Sequence, residues 1–88
     1  MNYLHYDVNI NNTNDPIEVH LDKQANVLLL DSTQYQNYRN GRAFKYYGGL
    51  VKESPTYLYA PRIGHWHLVI DLGGYPGQVR ASVNVIPG

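Results

Sequence analysis

His65 and His67 stand two residues apart in Gly64-His65-Trp66-His67, and their types and spacing are the best suited to chemistry in this sequence. On an extended strand such a pair projects both imidazoles from one face, roughly 7 Å apart. Two ring nitrogens at that spacing can serve zinc, provided that Asp71, on the same face, or His20 completes the set. Ligand count is the first requirement of a metal site, and the sequence ties no third ligand to the pair. Strand histidines more often face solvent or bond to neighbouring tyrosine hydroxyls. The expectation is therefore no metal and no cofactor. Other catalytic chemistry is sparser still. There is no cysteine nucleophile, Gly-x-Ser-x-Gly elbow, phosphate loop or His-Glu-x-x-His. Asp7, Asp31 and Asp71 could act as acid and base, but nothing in the sequence sets their separation. A small metal-dependent hydrolase built on His65, His67 and Asp71 is the least favoured reading, and no enzymatic activity is expected.

Recognition chemistry is better represented. The 88 residues include nine tyrosines and a single phenylalanine. Tyrosine joins an apolar ring to a polar tip, so it suits strand faces, pocket rims and contact surfaces, where phenylalanine would serve a core as well. The densest mixture of rings, amides and cations lies between Asp31 and Gly49. Its candidate ligand-binding residues are Asp31, Tyr35, Asn37, Tyr38, Arg39, Asn40, Arg42, Tyr46 and Tyr47. Flat rings stack on sugars and side chains, while Asp, Asn and Arg satisfy hydroxyls and carbonyls. The competing reading is a long loop held down by its own tyrosines, with Asn40-Gly41 as a tight turn.

Composition narrows the partners. Seven basic and seven acidic residues cancel, which leaves no overall field to hold nucleic acid or an anionic membrane. Nucleic-acid binding is not expected, although Arg39, Arg42 and Lys45 cluster among tyrosines. The absence of cysteine removes disulfides and thiolate metal sites and suits a reducing compartment. The first residues lack a basic start followed by an apolar stretch, and the apolar run Val27–Leu30 is too short for a bilayer. A soluble, cytoplasmic chain forming one domain over residues 1–88 is the expectation.

The elements that must position these groups read as strands. Ile17-Glu18-Val19-His20-Leu21 alternates apolar and polar, whereas Ala25–Leu30 is apolar on both faces and reads as a covered central strand. Trp66, Leu68, Ile70 and Leu72 share one face, with His65, His67, Val69 and Asp71 on the other. Gln78–Ile86 alternates again after Gly73-Gly74-Tyr75-Pro76-Gly77, and the two runs are expected to form an antiparallel hairpin. Weaker strands are expected at Tyr3–Ile10, Lys45–Val51 and Thr56–Ala60. Gly48-Gly49 points to a bulge or a close backbone approach. One helical turn fits Ser32–Tyr38, with Ser32 as its cap. Six to eight short strands imply an all-β, compact antiparallel β-sandwich of jelly-roll-like type. Its expected core comprises Val19, Leu21, Val27, Leu29, Trp66, Leu68, Ile70, Val79, Ala81 and Val83.

Two stretches also carry a family pattern. The first is Ala25-Asn26-Val27-Leu28-Leu29-Leu30-Asp31-Ser32, continuing through Tyr35-Gln36-Asn37-Tyr38-Arg39-Asn40-Gly41 to Tyr46-Tyr47-Gly48-Gly49. The second is Pro61-Arg62-Ile63-Gly64-His65-Trp66-His67 with Asp71-Leu72-Gly73-Gly74. The chain resembles a small bacterial family of unknown function, found as single-domain chains and fused to TIR-type domains. The resemblance implies no reaction and no catalytic residues. By analogy, the fusions imply a recognition module whose partner domain acts. The functional expectation is a non-catalytic binding module for a small molecule, a glycan or a protein. The alternative is a homo-oligomerisation domain that buries its tyrosines and exposed edges against a second copy.

Overall fold

The computed structural model describes residues 2–87 and contains seven strands and one helix. The strands are β1 (Tyr3–Ile10), β2 (Ile17–Leu21), β3 (Ala25–Leu30), β4 (Tyr47–Val51), β5 (Thr56–Leu58), β6 (Gly64–Asp71) and β7 (Ala81–Val85), and the helix is α1 (Ser32–Arg39). They form two antiparallel sheets, ordered β1-β6-β3-β4 and β5-β2-β7. This is an all-β sandwich. None of its described helices is long and apolar enough to cross a membrane.

Alternation fixes what lies between the sheets. Val8, Ile10, Ile17, Val19, Val27, Leu29, Trp66, Leu68 and Ile70 are buried together, as their shared strand parity requires. Leu21, Val79, Ala81 and Val83 pack against this core but remain partly exposed, the last two on the edge strand β7. The covered central strand is also present: β3 runs between β6 and β4, and both Leu29 inside and Leu30 outside are fully buried.

Two local expectations are corrected. β6 and β7 do not form a hairpin; β7 pairs with β2, with Val19 opposite Val83 and Leu21 opposite Ala81. The hydrogen-bonding edges of β6 are already taken by β1 and β3. The connection through Gly73, Gly74 and Gly77, all at positive φ, therefore carries the chain from one sheet to the other. The residues after β3 form an eight-residue helix rather than one turn. Its cap is Asp31, not Ser32, and Asp31 Oδ1 accepts the Gln34 N–H at 2.8 Å. The close approach expected near Gly48 is real: a Cβ there would run into the Val27 carbonyl oxygen, so β4 can lie against β3 only with glycine at this position.

The helix lies on the outer face of the larger sheet. Tyr35 is buried with Leu28, Leu30 and Val69 in a second cluster, flanked by Tyr3, Tyr38 and Phe44. Tyr38 donates to Asp71 Oδ2 at 2.6 Å and meets Tyr3 and Phe44 edge-on. Burial, then the Asp71 hydrogen bond and charge, raise the Tyr38 pKa above its ordinary value of 10.0. An unfolded tyrosine ionises first, so this contribution is complete below pH ~10 and is lost as pH rises through the Tyr38 pKa. The urea midpoint should accordingly fall as pH is raised above about 10, and Tyr38→Phe should weaken that dependence. An identical alkaline slope in the variant would assign the loss to other groups.

Candidate functional site

Strand register assembles a polar cluster that no single sequence segment contains. The outer face of β1 carries Tyr3, His5, Asp7 and Asn9; that of β6 carries His65, His67, Val69 and Asp71. Antiparallel pairing sets Asp7 opposite His67, Asn9 opposite His65 and His5 opposite Val69. Diagonal neighbours on such a face are within reach of imidazole-sized side chains. The helix covers Val69 and Leu28 and reaches His5 and His67 through Tyr35 and Ser32, while Asp7 and His65 stay open to solvent.

The geometry of the cluster is tight. His5 Nε2 lies 2.8 Å from His67 Nδ1, and Asp7 Oδ1 lies 3.0 Å from His65 Nε2, 3.6 Å from His67 Nδ1 and 3.7 Å from His5 Nε2. Tyr35 holds the rings in place by stacking on His67 at 4.5 Å and on His5 at 4.3 Å between ring centres. The remaining ring nitrogens also have partners. His5 Nδ1 meets Tyr35 Oη at 3.3 Å, His67 Nε2 meets Ser32 Oγ at 3.1 Å, and His65 Nδ1 meets Asn9 Oδ1 at 3.1 Å. Burial, followed by the neighbouring His5 and His65, lowers the His67 pKa, against the opposing pull of Asp7 and Asp31. Burial, then the Tyr3 hydrogen bond, push the Tyr35 hydroxyl up to about 12.

The two expected companions of His65 and His67 lie elsewhere. Asp71 shares their face but accepts from Asn26 Nδ2 at 2.8 Å, Tyr38 Oη at 2.6 Å and the Gly73 N–H at 2.9 Å. His20 is on the other sheet, 3.0 Å from Glu18. The carboxylate that joins the pair is Asp7, and the third imidazole is His5. Sequence reasoning named Asp7 only as a possible acid or base and did not consider His5, although Tyr3-x-His5-x-Asp7-x-Asn9 already places them on one strand face.

The tyrosine-rich segment divides into three environments. Tyr35 and Tyr38 turn onto the sheet and anchor the helix. Asn37 donates weakly to Gln34 Oε1 at 3.4 Å, Asn40 closes the helix, and the Arg39 guanidinium lies 5.8 Å from the Tyr35 ring centre. Arg39 and Arg42 border a shallow cleft of about 240 Å³ beside Tyr38. Asp31, Tyr46 and Tyr47 line a different cleft of about 480 Å³, together with Leu29, Phe44 and Lys45. Tyr46 and Tyr47 are each 49% exposed. Asp31 meets Arg62 at 3.2 Å, which ties this cleft to the chain entering β6. The structure thus brings together Asp31, Tyr46 and Tyr47, and separates them from Arg39 and Arg42.

These features define a small β-sandwich with one helix laid on its larger sheet, an imidazole–carboxylate cluster and a tyrosine-lined cleft. The chain belongs to the family described as Domain of unknown function (DUF1883), whose model matches residues 1–88. Neither a curated protein nor a solved structure matches it.

Proposed function

We propose that this domain is a non-catalytic recognition module that takes its ligand in the cleft between the start of α1 and the chain entering β4. The observation that carries the reading is the pair of half-exposed rings, Tyr46 and Tyr47, beside apolar Leu29 and Phe44 and the charged Asp31 and Lys45. An apolar surface with a few convergent polar groups suits a ligand with one flat face and a hydrogen-bonding rim, such as a glycan or a nucleotide-like small molecule. The cysteine-free chain and the resemblance to domains fused to TIR-type partners favour a cytoplasmic role in which recognition here governs an output elsewhere. Backbone NMR shifts, followed during titration with oligosaccharides and nucleotides, should move at residues 31–34 and 44–47. Tyr46→Ala should weaken the binding roughly tenfold or more while leaving the melting temperature unchanged. No response, or a response confined to other surfaces, would remove the cleft as the site.

A second reading, self-association, rests on a separate observation. β4 and β5 are edge strands on the same side of the sandwich, where a Cβ on Gly48 would lie 3.7 Å from Leu58. Leu50, Tyr57 and Tyr59 are exposed along this side. Unpaired edges with exposed rings suit strand addition from a second copy. Light scattering over a wide concentration range decides the point, since a constant monomer mass is incompatible with it.

A further inference from the structure

We propose that His5, Asp7 and His67, with His65 beside them, form a binding site for a divalent first-row transition ion of the zinc class. The site shares no residue with the cleft and does not depend on the recognition reading. His5 Nε2, His67 Nδ1 and an Asp7 carboxylate oxygen all lie within 4.8 Å of one another. A tetrahedral ion with bonds of ~2.0–2.1 Å spaces its donors roughly 3.3 Å apart. The three separations here, 2.8, 3.6 and 3.7 Å, bracket that value before any adjustment around an ion. His65 Nε2 lies 3.0 Å from the same Asp7 oxygen and outside this three-residue group.

Proton placement points the same way. The outer nitrogens of the three rings face Tyr35 Oη, Ser32 Oγ and Asn9 Oδ1, all of which can accept an N–H. When the neutral His5 and His67 rings keep their protons on those outer nitrogens, three inner atoms present lone pairs to one another: His5 Nε2, His67 Nδ1 and Asp7 Oδ1. The 2.8 Å contact between His5 Nε2 and His67 Nδ1 takes either a proton or a cation between the two nitrogens, and an ion binds by displacing that proton. An outer hydrogen bond that fixes the tautomer of each imidazole is the arrangement by which proteins orient metal-binding histidines. Stacking on Tyr35 fixes the ring planes before an ion arrives. The Asp7 side chain is 62% exposed, so an ion can enter from solvent and retain a position for water or an external ligand. Two imidazoles with one carboxylate favour zinc, cobalt, nickel or copper over magnesium and calcium, which prefer all-oxygen sets.

The test is calorimetric titration of the chelator-treated full chain with Zn²⁺, with Co²⁺ absorption as a report on geometry. One ion per chain is expected, with a visible Co²⁺ spectrum of tetrahedral intensity. Asp7→Asn and His5→Gln should each weaken Zn²⁺ binding at least roughly tenfold, while the metal-free far-ultraviolet spectrum and melting temperature stay unchanged. His20→Gln, on the opposite sheet, should leave the affinity as it is. Absence of stoichiometric binding would overturn the proposal. So would full affinity retained in both Asp7→Asn and His5→Gln, since the ion would then be held by other groups.

Discussion

Trp66→Ala is expected to destabilise the domain by about 3–5 kcal/mol, the range for removing a fully buried large aromatic side chain. The ring lies on the inner face of β6, and its Nε1 donates to the Arg62 carbonyl at 3.0 Å. The Arg62 guanidinium sits 4.7 Å over the ring centre, and Tyr47 meets the ring edge-on at 6.0 Å. Alanine would leave a cavity bounded by strands of both sheets, which β-sheet hydrogen bonding prevents from collapsing freely. For a domain of this size the loss is a large fraction of an ordinary stability and lowers the melting temperature by roughly 12–40 °C. Trp66→Phe, which keeps a ring but not the N–H, should cost about half as much. The effect also reaches the cleft, since Tyr47 rests on the ring and Arg62 holds Asp31. Denaturant midpoints with an unchanged slope are the measurement, and a loss below about 1 kcal/mol would mean that Trp66 is not the anchor of the core.

Much of the architecture was legible because strand alternation reports burial directly. Ile17–Leu21 and Gly64–Asp71 each declared an inner face, and the doubly apolar Ala25–Leu30 declared a strand covered on both sides. Partner choice is different physics. The alternation of β6 and β7 is compatible with any neighbouring strand, and the hairpin expected between them fails because β1 and β3 already satisfy β6. The helix was underestimated for a related reason. Ser32-Thr33-Gln34 is a weak helical start by composition, and its length comes from packing Tyr35 and Tyr38 onto Leu28, Leu30 and Val69.

The candidate site was legible in its parts and not in its assembly. His65 and His67 were evident as a pair, and Asp31, Tyr46 and Tyr47 as polar and aromatic neighbours of a loop. What completes the imidazole cluster is the register of β1 against β6, which pairs residues about 60 positions apart and leaves no local trace. The tyrosine bias likewise resolves into separate roles. Tyr35 and Tyr38 bury their rings under a helix while their hydroxyls bond to His5 and Asp71. Tyr46 and Tyr47 keep their rings at the surface, where a ligand can reach them.

The two aspartates on the outer face should behave in opposite ways. Asp71→Ala is expected to cost about 3–5 kcal/mol, because it strips the acceptor from three donors at once. Asp71 is 4% exposed and receives the Asn26 amide, the Tyr38 hydroxyl and the Gly73 N–H. Each donor left buried and unpaired costs about 1–3 kcal/mol, partly relieved where the Gly73 turn admits water. Asp71→Asn preserves the volume but turns a donor toward those donors, so only part of the loss is recovered. Since Tyr38 fastens the helix through this carboxylate, hydrogen-exchange protection should fall further in α1 than in the β2–β7 ladder. Asp7, exposed and surrounded by imidazoles, makes no comparable demand on the fold. Asp7→Asn should stay within about 0.5 kcal/mol of the parent without metal, and lose the stabilisation that Zn²⁺ gives the parent chain. Equal urea midpoints for Asp71→Ala and the parent would show that solvent replaces the carboxylate, and would return Asp71 to the candidates for a functional role. A pronounced loss, with Asp7→Asn unaffected, divides one sheet face into a structural end under the helix and a chemical end open to solvent.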